Sequence, residues 1–158
     1  MPEEAGEPRL PGTDVVARYV GGAHVDSETG EINGSAFERN PKDVDGVSFT
    51  RRHIFDQDCN RDRDEIRRVV GSHMKFGKTA VFAELTVGNA LEVLQEFEQD
   101  IFFVADPIAA AEERLANPAH ALLVGFPFKD EQVGSLKSEI AGDRLRLCVT
   151  DRFPAIVR

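Results

Sequence analysis

Apolar residues along the chain fall in short clusters divided by turn formers, and the two halves read differently. In the N-terminal half, Val15 to Val20 reads as an extended segment and Val47 to Thr50 (VSFT) as a second short strand. Two turn-rich clusters, Asp26 to Asn33 (DSETGEIN) and Asn40 to Gly46 (NPKDVDG), predict loops. A helix is predicted over residues 62–70. Asp62 with Glu65 three positions on is a variant of the capping box, Ile66, Val69 and Val70 make one apolar stripe, and Gly71 is the stop. That register sends Arg63, Arg67 and Arg68 outward.

The second half alternates. Thr79 to Val87 (TAVFAELTV) reads as a strand, followed by a helix capped through Asn89 and Glu92 with Ala90, Val93, Leu94 and Phe97 on one face. Residues 101–105 (IFFVA) read as a buried strand. Asp106-Pro107 suits a helix start, with Ile108, Ala111 and Leu115 pointing inward and Asn117-Pro118 ending it. Ala119 to Phe126 reads as a strand, and Val133, Leu136 and Ile140 define a last helix closed by Gly142. Leu145 to Val149 reads as a closing strand. Such alternation predicts an α+β fold, a mixed sheet with packed helices, to which the N-terminal half adds antiparallel strands. Residues 1–13, rich in Pro and Gly, predict a disordered leader, and residues 14–158 a single domain.

Charge changes this picture more than bulk composition does. The net charge is -9 over 158 residues, unevenly spread. Residues 1–60 hold 6 basic against 12 acidic groups, and residues 79–118 hold 1 against 8. Residues 61–78 hold 6 against 3, a basic island of Arg61, Arg63, Arg67, Arg68, Lys75 and Lys78. This balance argues against a nucleic-acid-coating protein, whose affinity rests on neutralising phosphates. No stretch approaches the roughly 18 apolar residues of a membrane span. The N-terminus is acidic where a signal peptide needs basic and then apolar residues, so a cytoplasmic location is expected. Of the aromatic residues 11 are Phe, 1 is Tyr and none is Trp, which points to core packing more than to stacking on bases.

Candidate chemistry is sparse. Asp56, Asp58, Asn60, Asp62 and Asp64 alternate like the opening of a calcium loop, but Arg61 and Arg67 stand where its Gly and bidentate Glu belong. Cys59 and Cys148 form no metal or disulfide pattern and read as free thiols, Cys148 as the more buried. The four histidines, His24, His53, His73 and His120, show no short metal-ligand spacing. No metal and no cofactor is called for. His120, at the entry of an apolar strand, needs a partner or water. It is either a strand-edge histidine bonded to a neighbouring loop or part of a polar site with Arg18, His24 or Ser48. In a parallel sheet it would sit at the wrong end for a site, so it serves only if its strand runs antiparallel to its neighbours.

Two resemblances accompany these residues. The order Arg18, then Ser48-x-Thr50, then Glu84 resembles that of several NAD-using ADP-ribosyltransferases. It implies an Arg on the NAD phosphates, a Ser-Thr strand shaping the nicotinamide site and a Glu steadying the ribosyl cation. The run His24…Ser35-Ala36-Phe37…Gly46-Val47-Ser48, with Ala105-Asp106-Pro107 and Asn117-Pro118-Ala119-His120-Ala121, resembles a group of small uncharacterised bacterial proteins. That likeness implies a single domain in which Ser35, Phe37, Ser48 and His120 share a surface.

The leading expectation is therefore a binding or accessory protein without autonomous catalysis. It acts on a protein partner through its acidic segment, with Glu96 and Glu98 as contacts. The alternatives are a small nucleotide- or NAD-handling transferase with His120, His24, Arg18, Ser48 and Glu84 as site candidates, and weak nucleic-acid contact through Arg67 and Arg68 of the basic helix.

Overall fold

The computed structural model describes residues 9–38, 46–55, 58–96, 100–125 and 132–157. Among these residues six strands form one sheet: β1 (Val15–Val20), β2 (Val47–Arg51), β3 (Val81–Thr86), β4 (Phe102–Ala105), β5 (His120–Val124) and β6 (Asp151–Pro154). Their order is β4-β5-β2-β1-β3-β6, and each pairing is antiparallel. With helices α1 (Cys59–Gly71), α2 (Val87–Leu94) and α3 (Gln132–Leu147), the chain has the α+β class its pattern predicts. The sheet is antiparallel rather than mixed for a topological reason. Helix α1 carries the chain from β2 to β3, which point the same way, but β1 lies between them and is antiparallel to both. The parallel strands never touch.

Side chains alternate between the two faces of each strand. One face carries Val16, Val20, Phe49, Leu85, Phe103 and Leu123, packed under α2, α3 and the 3-10 turn Gly34–Phe37. The other carries Ala17, Phe82 and Phe153, which meet Ile66 and Val70 of α1. The Phe82 and Phe153 rings stack at 5.1 Å, so phenylalanine serves as packing here, as expected.

Several boundaries move from their predicted places. Helix α1 begins at Cys59, because Asp58 is its cap and accepts from the N–H groups of Asn60 and Arg61. Asp62 is therefore inside the first turn and buried, not a cap. Helix α2 begins after Thr86, and Asn89 and Glu92 lie exposed within it. No helix forms after Asp106-Pro107. Residues 108–117 fold instead into a narrow hairpin, bridged at Ile108–Asn117 and Ala111–Arg114, with Ala111 and Leu115 exposed. The small side chains of that segment offer too little apolar area to hold a helix on the sheet.

Helix α3 runs through Gly142 and absorbs the predicted strand from Leu145, while the closing strand is β6. Gly142 is there for contact: a Cβ on it would lie 2.4 Å from the carbonyl oxygen of Gly34. Ser138, Ala141 and Leu145 face inward and Ile140 is 43% exposed, so the apolar face is not the one predicted through Ile140. Residues 9 and 10, assigned to the predicted leader, pack on the sheet. Leu10 is only 7% exposed in the main core, its N–H donates to the Phe103 carbonyl at 3.0 Å, and Arg9 bridges Val104. Residues 1–8, the turn residues 40–45, Asp56, Phe97, Glu98 and Phe126 lie outside the described residues, as do the side chains of Cys59, Val133 and Leu136.

Candidate functional site

On the α1 side of the sheet, α1 covers β1, β3 and β6, while the other half of that face carries polar groups. Antiparallel register sets Thr50 of β2 opposite His120 of β5, and Ser48 opposite Leu122. The hairpin of residues 108–117 and the end of α1 rise on either side. Together they enclose a cleft of about 670 Å3 lined by Ser48, Thr50, His73, Asp106, Arg114 and His120 as its polar groups. Tyr19, Val70, Met74, Phe82, Ile108 and Leu122 supply apolar walls. This volume suits a small organic molecule, and the mix of apolar wall with a few polar groups is that of a ligand site.

Local sequence places each group. Asn117-Pro118 makes the turn that feeds β5. The buried Asn117 side chain accepts from the Ala119 N–H at 3.1 Å, and its backbone exchanges two hydrogen bonds with Ile108. His120 then starts β5 beside the end of β4, where the Asp106 N–H donates to the His120 carbonyl at 2.9 Å. Its ring Nδ1 lies 3.0 Å from both the Asp106 carbonyl oxygen and Asp106 Oδ2. The carbonyl only accepts, so Nδ1 carries a proton, and in the neutral tautomer this leaves the lone pair on Nε2. The hairpin is tied to α1 by Ser72, whose Oγ donates to the Val69 carbonyl at 2.7 Å and accepts from the Leu115 N–H at 3.0 Å. This tie sets Arg114 across from His73. The His73 imidazole is held below its ordinary pKa by desolvation where it meets the cleft, then by the charges of Arg114 and His120.

Arg18 lies at the cleft floor, where the β1–β2 ladder has only two residue pairs. Its guanidinium donates to the carbonyls of Ser48 at 2.8 Å and Ala36 at 2.7 Å, standing in for backbone bonds. Arg18, Ser48, Thr50 and His120 therefore share one site, and β5 is antiparallel to both neighbours, the condition His120 required.

The other candidates lie elsewhere. Glu84 sits three strands from His120 along one cross-strand row, about 14 Å away at sheet spacing. It is enclosed by Arg52 and Arg63 under α1. Thr50 lies two strands from Glu84 in that row, about 9.5 Å at sheet spacing, with Ala17 between them. His24 Nδ1 pairs with Ser35 Oγ at 2.7 Å beside the Gly34–Phe37 turn, on the α3 side of the sheet. Phe37 is buried there against Phe49, so Ser48 and His120 share a surface that Ser35 and Phe37 do not.

The charged residues expected to meet partners are, where described, paired within the fold. Arg63 folds down onto Glu84 and Asp151, and Arg67 onto Asp64 and the Pro154 carbonyl, so neither faces outward as predicted. Arg68 is exposed but paired with Glu65. Glu96 lies 3.5 Å from Arg144, and Glu98 lies outside the described residues. Asp58, Asp62 and Asp64 turn to three different tasks. Among the described residues no cluster of His, Cys, Asp or Glu is placed to hold a metal ion, and no helix is long and apolar enough to cross a membrane. Cys148 is partly buried after α3, its thiol pushed up by desolvation and then by Glu92.

Sequence reading missed Asp106 as the partner of His120, and it missed His73 and Arg114. One signal was present: Arg114 is the single basic residue between positions 79 and 118. No protein-family model, curated protein or solved structure matches the chain.

Proposed function

We propose that this protein binds a small organic molecule in the cleft between the β2–β5 face of the sheet and the 108–117 hairpin, with His120 as the group that exchanges a proton with it. The observation that carries this reading is the Asp106–His120 pair at the cleft wall. Two acceptors fix Nδ1–H, the His120 side chain is only 12% exposed, and Nε2 is left as the ring's acceptor. An imidazole oriented by a carboxylate beside a ligand-sized cavity is the arrangement general acid–base chemistry uses. Ser48 and Thr50, on the neighbouring strand, supply hydroxyls within the same cleft.

The readings that rest on charge have less support, because their arginines and Glu96 are paired within the fold. A protein partner remains compatible with the acidic exterior, and the cleft gives the more specific expectation.

A nuclear magnetic resonance screen of a small-molecule library against the 15N-labelled protein tests the reading. Supporting ligands shift the amides of Ser48, Thr50, His73 and His120 together, and His120→Gln or Asp106→Asn changes how they bind while the spectrum stays folded. A library whose binders all map outside the cleft, or none of which binds, counts against it.

A further inference from the structure

Arg114, His73, His120 and Asp106 face the cleft, with Arg18 at its floor, so its permanent positive charges are the two guanidinium groups. Asp106 is already engaged by His120 Nδ1, and Arg18 by two carbonyls. Lys75, Glu112 and Glu113 stand at the outer rim, where the groove between the hairpin tip and the end of α1 opens to solvent. Arg114 is different. Among the described residues its guanidinium makes no ion pair and no side-chain hydrogen bond, and its Nε is closed off from water without an acceptor. The adjacent Glu112 and Glu113 do not pair with it.

A buried donor without an acceptor is costly, and arginine meets that need best with a planar anion taken on two nitrogens at once. His73 adds to this. Desolvation first and then the Arg114 charge disfavour its protonated form, and that charge is the one an anion would neutralise. Tyr19, Met74 and Ile108 provide a wall for an apolar body attached to that anion.

We infer that the ligand of this cleft is a small organic anion, a carboxylate or phosphate monoester on an apolar or aromatic body, with its charged group on the Arg114 guanidinium between His73 and His120. The inference rests on the cleft being the ligand site and narrows what it takes. In use, the guanidinium turns so that Nε and a terminal nitrogen both donate to the anion. His120 Nε2 then stands beside the ligand's polar end, and the ring body lies against Met74 and Tyr19.

The test uses three probes of matched shape, benzoate, phenyl phosphate and neutral benzamide, titrated into the 15N-labelled full chain. The anions are expected to shift the cleft amides at least about tenfold more tightly than benzamide, the discrimination a charged hydrogen-bonded pair supplies. Arg114→Gln should remove that advantage and leave benzamide unaffected, while Arg114→Lys, which keeps the charge and loses the planar fork, should fall between. Phenyl phosphate binding above benzoate identifies a phosphate ligand, and the reverse a carboxylate. Benzamide binding in the cleft as tightly as the anions, or anions binding Arg114→Gln and Arg114→Lys as they bind the unaltered chain, overturns the inference and leaves the cleft as the ligand site. If none of the three probes moves the cleft amides, both the inference and the proposed site fail.

Discussion

Substituting Arg52 by Met should unfold this protein more readily than any comparable change at its surface, and the structure says by how much. Arg52 joins the end of β2 to the first turn of α1. Its Nε lies 2.5 Å from Asp62 Oδ2, and its Nη1 pairs with Glu84. The side chains of Arg52, Asp62 and Glu84 are 3%, 0% and 5% exposed. Glu84 keeps Arg63 when Arg52 is lost, but Asp62 keeps only His53, whose N–H donates at 2.6 Å and whose ring Nδ1 lies 3.9 Å away. Its Oδ1 has no partner even in the intact protein. Breaking a buried pair from one side costs roughly 3–5 kcal/mol. For a chain of this length that lowers Tm by about 10 °C, at 2–4 °C for each kcal/mol. Replacing both members is far gentler, so Arg52→Met with Asp62→Leu should recover about 2 kcal/mol or more relative to Arg52→Met alone. Urea unfolding followed by circular dichroism measures all three variants, with unchanged m-values as the check on two-state behaviour. A loss under about 1 kcal/mol for Arg52→Met, or a double variant no better than the single, would refute the reasoning, since Asp62 would then be finding water where the structure excludes it.

Two further outcomes follow from the fold. A chain beginning at Thr13 should lose roughly 2–4 kcal/mol, because it strips Leu10 from the core and its N–H from the Phe103 carbonyl. A chain beginning at Arg9 keeps both contacts and is the control, and equal urea midpoints for the two would show that Leu10 contributes nothing. His73 should make stability depend on pH. Its folded pKa lies below the ordinary 6.5, so the unfolded chain takes up the proton first. The His73 contribution is then full above pH 6.5 and is lost as pH falls through it toward the folded value. Tm measured from pH 8 to pH 5 should fall less steeply in His73→Gln than in the unaltered chain, and parallel profiles would refute the assignment.

The legible parts of this chain were those where one strong local signal met one packing demand. Val15 to Val20, Val47 to Thr50 and Thr79 to Val87 announced themselves by β-branched and apolar runs, and strands form at Val15–Val20, Val47–Arg51 and Val81–Thr86. Gly142 misled because glycine reads as a stop from sequence alone, whereas here it buys close approach of α3 to Gly34. Asp62 misled because a carboxylate three residues before Glu65 resembles a cap, and only the fold reveals Arg52 below it. The segment after Asp106-Pro107 carried a helix start with no apolar stripe strong enough to use it. His120 was legible as a polar residue in need of a partner. Asp106, fourteen residues away, becomes that partner only when β4 and β5 lie side by side.

The cleft itself follows from the sheet's width. Six strands span about 24 Å, and one helix covers about 10 Å of it. On one face α2, α3 and the Gly34–Phe37 turn share the cover over the larger apolar cluster. On the other face α1 is the single helix among the described residues, anchored at its first turn by Arg52 and Asp62 over the β1–β3 half. What remains over β2 and β5 is bridged only by the hairpin, which reaches α1 at Ser72 and Leu115 and closes the gap partway. A sheet face left half covered would normally expose apolar side chains to water, yet around Leu122 the residues there are Ser48, Thr50 and His120. The sequence thus places polar groups at the positions the topology leaves open. This is why the Arg52–Asp62 anchor and the site are one problem: loosening α1 at Asp62 would move His73 and Met74, which form the cleft's far wall, at the other end of the same helix.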